Sequence, residues 1–247
     1  MYKKDFSFFD ENKAVYLDNA ATTQKPKVVI DEIVDYYTNY CSNTHRSDFG
    51  DANKATTKFE HTRNTLAQFI NAPASTQIIF TKGITEGVNF VANSFAEKFK
   101  TIIISSLEHH SNTVPWHMQG RTLHNGLEVV NCDENLDFDY ENYEEILKNN
   151  PNSFVSVTHI SNAFGVIHDI KRIIALAHKY SCVVMIDAAQ SLVHAKVDVQ
   201  DLDVDFFVMS SHKTFGPTGV GALYVKETHL NDLEHYQTGG ATIEDVT

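Results

Sequence analysis

Glycine is scarce: 11 occur in 247 residues, well under the ~7% of an average protein. That excludes a glycine-rich low-complexity chain and gives weight to the places where glycines gather. Cysteine is scarcer still. Cys41, Cys132 and Cys182 are odd in number, far apart and in no CxxC pair, so a disulfide framework is not expected and a reducing, cytoplasmic setting is. Positive charge is also short: 20 Lys and Arg against 32 Asp and Glu leave −12 with histidines neutral. Such a surface repels phosphate backbones and anionic lipid, so neither nucleic acid nor membrane is an expected partner. No apolar run approaches the ~18 residues of a membrane span; Ile102-Ile103-Ile104 and Val183-Val184-Met185-Ile186 are typical. The opening Met1-Tyr2-Lys3-Lys4-Asp5-Phe6 lacks the apolar stretch of a signal peptide,. GxGxxG, Walker and GxSxG motifs are all missing, which removes the commonest nucleotide and serine-hydrolase readings.

What is present is alternation. A helical period with apolar Val29, Ile30, Ile33, Val34 and Tyr37 runs from Pro26 to about Tyr40, and a longer one from about Asp51 to Ile70,. Short apolar strands are expected at 78–81, 102–105, 127–130, 154–158, 182–186, 206–209 and 221–225. Helices are expected at 85–99, 112–123 (with Pro115 in the first turn), 140–149 and 170–180,. Apolar strands separated by helices describe an α/β layer fold on a mostly parallel sheet. In such sheets ligands lie beyond the carboxyl ends of the strands, so the residues after each strand are the ones to read.

After the strand at 78–81 come Lys82-Gly83-Ile84-Thr85-Glu86-Gly87. A glycine turn opening a helix offers free N–H groups and the positive helix end to an anion, with Thr85 adding a hydroxyl; taken alone, a plain threonine N-cap with an acidic first turn is the favoured reading. After 102–105 come Glu108-His109-His110-Ser111-Asn112. Adjacent histidine side chains diverge and no further ligands are spaced for a metal, so none is expected. One flat imidazole over a planar ligand is the functional alternative to a backbone-bonded loop histidine. After 154–158 comes Asn162, a two-way hydrogen bonder in a loop-forming Asn-x-x-Gly,. Asp187 ends a buried strand, costly unless it is paired or caps the adjoining segment. Lys213 comes after the strand at 206–209 among hydroxyls and glycines. A lysine in such a pocket loses its proton readily and attacks carbonyls. A strand-end aspartate, a lysine 26 residues on, an anion cup and a stacking imidazole together are the parts needed to hold pyridoxal 5'-phosphate (PLP).

These blocks resemble the fold-type I, class V aminotransferase relatives, most of all the cysteine desulfurases and selenocysteine lyases of the SUF type. The likeness runs through Tyr16-Leu17-Asp18-Asn19-Ala20-Ala21-Thr22-Thr23, Asn43-Thr44-His45-Arg46, Thr85-Glu86-Gly87-Val88-Asn89, and Glu108 to Trp116. It continues in Thr158-His159-Ile160-Ser161-Asn162, Asp187-Ala188-Ala189-Gln190 and Ser211 to Gly219. It implies a three-layer α/β/α large domain whose sheet is mostly parallel with one antiparallel strand. Residues 1–25 would be a segment packed on that domain, 26–247 the PLP-binding domain, and a C-terminal small domain would be absent.

The resemblance further implies roles. Lys213 would hold the cofactor's aldehyde and move protons, Asp187 would pair with the pyridine nitrogen, and His109 would stack on the ring. Gln190 would bond the phenolic oxygen, with Asn162 close to that oxygen or the substrate carboxylate. Thr85, Ser210 and His212 would hold the phosphate. The family reaction takes sulfur from L-cysteine, or selenium from selenocysteine, and leaves alanine. A loop cysteine becomes a persulfide, in a homodimer that serves iron–sulfur assembly through a sulfur-acceptor protein. Departures are visible: Ile84 stands where a threonine is usual and Ser47 where a glycine is usual. The sequence stops near Gly239-Gly240-Ala241-Thr242, and none of the three cysteines matches the nucleophile's place. An inactive fragment is therefore expected. A transaminase or carbon–sulfur lyase domain, or a silent dimerising or docking scaffold, are the alternatives. Gly83, Gly87, Gly216, Gly219 and Gly221 are expected where a phosphate is approached.

Overall fold

The computed structural model describes residues 2–11, 15–45, 48–123, 126–234 and 237. Seven strands make one sheet: β1 (Ile78–Thr81), β2 (Thr101–Ser105), β3 (Gly126–Val130), β4 (Phe154–Thr158), β5 (Val183–Asp187), β6 (Phe206–Ser210) and β7 (Gly221–Val225). Their order is β1-β7-β6-β5-β4-β2-β3. Only β7 runs against the rest, antiparallel to both β1 and β6, while the other adjacent pairs are parallel. The expected α/β/α sheet with one antiparallel strand is what forms.

Helices α1 (Phe8–Glu11), α2 (Lys27–Asp35), α3 (Gly50–Phe69), α4 (Ile84–Phe95) and α5 (His110–Leu123) belong to the first half of the chain. The second half adds α6 (Tyr140–Asn149), α7 (Ile170–Lys179) and three single turns, α8 (Ser191–His194), α9 (Val199–Leu202) and α10 (Glu227–Leu230). Aspartates start several of them, because a carboxylate satisfies N–H groups that a helix leaves free. Asp139 accepts from Glu141 and Asn142, Asp169 from Arg172, and Asp198 from Gln200 and Asp201.

The near-continuous apolar strands are covered on both faces. Alternate residues of one strand enter opposite layers: Ile103, Val184, Ile186 and Phe207 pack with α3, α6 and α7. Ile102, Ile104, Met185, Phe206 and Val208 pack with α4 and α5. Trp116 of α5 is fully buried and lies against Phe154, ring centroids 4.9 Å apart.

Three expectations shift. Helix α5 begins at His110, so Pro115 sits in its second turn, where it removes an internal bond,. The apolar stripe of α2 does fold as a helix but buries nothing, and Val28 and Val34 stay exposed. Gly87 serves packing rather than a phosphate, since a Cβ there would lie 2.5 Å from Val208 Cγ1.

Candidate active site

At the carboxyl ends of the strands opens a cavity of about 910 Å³. Thr85, His109, Asn162, Asp187, Gln190, Ser210, His212 and Lys213 all line it, with Gly83, Ser111 and Thr218 between them. Residues from five separate strand ends thus converge on one space.

One side is shaped for an anion. Gly83 precedes α4 with φ of +143°, a conformation that only glycine takes without strain,, so the first N–H groups of a 12-residue helix face outward,. Ser210, at the end of β6, is 3% exposed and its hydroxyl has no hydrogen-bond partner. It stands 3.9 Å from where a Cβ on Gly83 would be. A buried hydroxyl without a partner beside a helix N-terminus fits a phosphate that both would grip. Ile84 adds no hydroxyl; its side chain is buried with Val88 and Val91. Gly221 allows β7 to cross this corner, for a Cβ there would meet Met209 O at 2.5 Å and Gly83 Cα at 2.6 Å.

The same cavity carries ionisable groups. Asp187, 2% exposed, accepts the Ala189 N–H at 2.9 Å. Burial pushes its carboxyl above the ordinary value, opposed by that hydrogen bond and by the charges of Lys213 and His109. Lys213 closes a single 3-10 turn, Ser211–Lys213, directly after β6. Burial lowers its ammonium below the ordinary lysine value, and Asp187 partly restores it. Burial and then Lys213 lower His109 as well, which favours its neutral form. Its Nδ1 accepts the Ser111 N–H at 3.1 Å. A backbone N–H can only donate, so the neutral ring carries its proton on Nε2. Ser111 Oγ, 3.0 Å from the same Nδ1, accepts from Thr85 Oγ at 3.1 Å, joining the anion side to the imidazole.

Gln190 is placed differently from the simplest expectation. Its Nε2 donates to Ala20 O at 2.7 Å, leaving the second amide hydrogen for a ligand,. Asn162 is exposed at the rim, and the His212 ring lines the wall while its carbonyl is taken by the N-terminal segment. The His110 ring lies beside that of His109, centroids 6.1 Å apart and tilted by 43°. Among the described residues no group of three or more His, Cys, Asp or Glu could hold a metal. No helix among them is long and apolar enough to cross a membrane. Cys41 is exposed and Cys182 buried, and neither they nor Cys132 line the cavity. Arg46, Ser47 and the stretch from Gly239 to Thr242 lie outside the described residues.

Sequence reasoning missed Glu108. It is buried behind His109, where Oε1 accepts from Ser105 Oγ at 2.5 Å and from the Thr158 N–H at 2.8 Å. Oε2 accepts from Asn112 Nδ2 at 2.6 Å. One carboxyl so ties β2, β4 and α5 at the base of the loop that presents His109. Desolvation pushes it up to about 8 despite those bonds. Ser105 and Asn112 lie within four residues of Glu108, but the Thr158 N–H that completes its surroundings comes from a strand 50 residues on.

Residues 15–247 match the family described as Aminotransferase class-V. A probable cysteine desulfurase of Mycolicibacterium paratuberculosis is 42% identical over 94% of this chain and 34% of its own length. A cysteine desulfurase of Synechococcus elongatus is 41% identical over 99% of this chain and 40% of its own. The apo structure of a cysteine desulfurase from Thermococcus onnurineus superposes with a TM-score of 0.92 at 36% identity, covering 99% of this chain and 61% of that one. The chain thus spans between about a third and three fifths of the proteins it matches. With the family match covering nearly its whole length, this chain belongs to the class-V aminotransferase family.

Proposed function

We propose that this chain is the PLP-binding large domain of a cysteine desulfurase, acting on L-cysteine or selenocysteine. The observation that carries the reading is what one cavity brings together: a partnerless buried Ser210 hydroxyl beside a helix N-terminus, and buried Asp187 with Lys213. The N-terminus of α4, Thr85, Ser210 and His212 suit the phosphate. Asp187 suits a ring nitrogen, His109 the ring face and Gln190 with Asn162 the phenolic oxygen. When bound, the cofactor supplies an electron sink for charge developing at the substrate's α-carbon.

The chain's own residues do the rest. Burial keeps a share of Lys213 unprotonated, so its Nζ can attack an aldehyde and later take or return a proton,. Burial raises the Asp187 carboxyl, and a cation or donor facing it opposes that, which favours a protonated ring nitrogen,. His109 presents Nε2–H from a fixed tautomer. None of Cys41, Cys132 and Cys182 lines the cavity, so none of them is assigned as the sulfur-accepting thiol. A homodimer and a sulfur-acceptor protein complete the proposal, in the cytoplasm.

Mixing the protein with PLP, reducing with borohydride and mapping peptides tests it. The label is expected on Lys213 and absent from Lys213→Ala. Label spread over surface lysines, or none, sinks the reading. Alanine release from cysteine by the 247-residue chain alone is expected to be negligible.

A further inference from the structure

The peptide before Lys213 is held by the opposite end of the chain. His212 O accepts the Thr23 N–H at 2.9 Å, Thr23 Oγ at 3.1 Å, Thr22 Oγ at 3.1 Å and Lys25 Nζ at 3.0 Å. A carbonyl oxygen has two lone pairs, so four donors fix the plane of the His212–Lys213 peptide. On the far side of the same turn, the Phe215 N–H donates to Thr23 Oγ at 2.9 Å. Phe215 has φ of +66°, a left-handed conformation that a bulky residue keeps only when its surroundings impose it,. One hydroxyl, on a residue only 6% exposed, therefore holds the backbone on both sides of Lys213–Thr214.

We propose that Thr23 is a positioning residue for Lys213. The lysine side chain rotates about four bonds, so its reach into the cavity depends on where its Cα is fixed. A misplacement of ~1 Å in a reacting group can cost about a hundredfold in rate. Thr23 supplies that fixity by bridging His212 O and the Phe215 N–H, and keeps the amine inside the desolvated wall that lowers its proton affinity. The functional weight of this rests on Lys213 being the cofactor-holding lysine; the positioning itself does not.

The test uses Thr23→Val, which keeps shape and backbone N–H but loses the hydroxyl, beside Thr23→Ser and Thr22→Val. Two readouts need no cofactor: hydrogen exchange across residues 211–216, and the pH midpoint of Lys213 trace acetylation by acetic anhydride. A third is the rate of borohydride-trapped PLP capture at Lys213. Thr23→Val is expected to exchange faster at Phe215 by about tenfold, the worth of one or two hydrogen bonds. Its acetylation midpoint moves to higher pH as the amine reaches water, and capture slows. Thr23→Ser restores all three, and Thr22→Val stays near wild type because three donors remain on His212 O. An unchanged acetylation midpoint in Thr23→Val overturns the proposal, even with faster exchange, since that marks a merely structural bond. If Thr23→Val does not fold, failure of Thr23→Ser to match wild type overturns it equally. Wild type that never captures PLP at Lys213 refutes the cofactor reading, while the acetylation midpoints still decide the role of Thr23.

Discussion

Asp187 and Lys213 oppose, each for the other, the burial that acts on both. Burial raises the carboxyl and lowers the amine, and each charge pulls its partner back toward ionisation. Asp187→Asn therefore moves Lys213 further down: its acetylation midpoint shifts to lower pH than in wild type. An upward shift contradicts the pairing. The same variant removes the group expected to protonate the cofactor ring, so it separates an easily captured cofactor from a competent one.

Ser210 gives two effects of opposite sign. Its hydroxyl is buried without a partner, and leaving such a group unsatisfied costs about 1–3 kcal/mol. Ser210→Ala is expected to raise the thermal midpoint of the ligand-free protein, or leave it unchanged. It also weakens PLP binding by about tenfold, the worth of a hydrogen bond to a charged group. Calorimetry and a binding titration check both. Lower stability together with unchanged affinity contradicts the phosphate role.

Glu108 makes stability depend on pH. A carboxyl raised in the fold lends stability in full below its unfolded pKa, about 4.3, and loses it as pH rises through about 8,. Urea unfolding from about pH 4 to about pH 9 is expected to show that decline, and Glu108→Gln to remove it. The amide also sets a donor against Asn112 Nδ2, whose Oδ1 is already held by Trp116 Nε1 and Ser156 Oγ. The variant is thus less stable at low pH, by about 1–3 kcal/mol.

Asp205 governs a second, separate group of charges. It accepts from His178 Nε2 at 2.9 Å, His229 Nε2 at 3.2 Å and the Val184 N–H at 2.8 Å. Burial alone would raise it, yet these bonds hold its carboxyl well below the ordinary value. The bond to Asp205 raises His178 in turn. Stability from protonated His178 is complete below about 6.5 and is lost as pH rises through its raised folded value. His178→Gln is expected to flatten that decline and be the less stable protein at about pH 6. Asp205→Asn, which strips a buried hub from its partners, costs about 3 kcal/mol or more.

Much of this architecture could be read from local sequence. Strands such as Phe206–Ser210 are apolar on both faces because both faces are covered, and that needs no partner to be known. The candidate residues were legible because they follow strand ends, where an open sheet leaves a crevice, and they line one cavity. What stayed hidden depends on distant partners. Thr23 meets His212 and Phe215 from 189 and 192 residues away, and Glu108 takes one of its bonds from Thr158, 50 residues on. The glycines misled for a related reason: a glycine beneath a helix and one beside a phosphate look alike until the opposing strand is placed. Gly87 faces Val208, whereas Gly83 and Gly221 meet at the anion corner.

The reversed strand β7 also joins the earliest strand of the described chain to the rest of the sheet. In the sheet β1 pairs only with β7, yet β7 is the last strand of the described chain to be synthesised. Until Gly221–Val225 slots between β1 and β6, the strand that ends at the anion corner has no sheet neighbour. Every phosphate-side group of α4 is by then long since made, and Ser210 too. A chain ending before Gly221 would therefore lack the strand that joins β1 to β6 and brings Gly83 against Gly221.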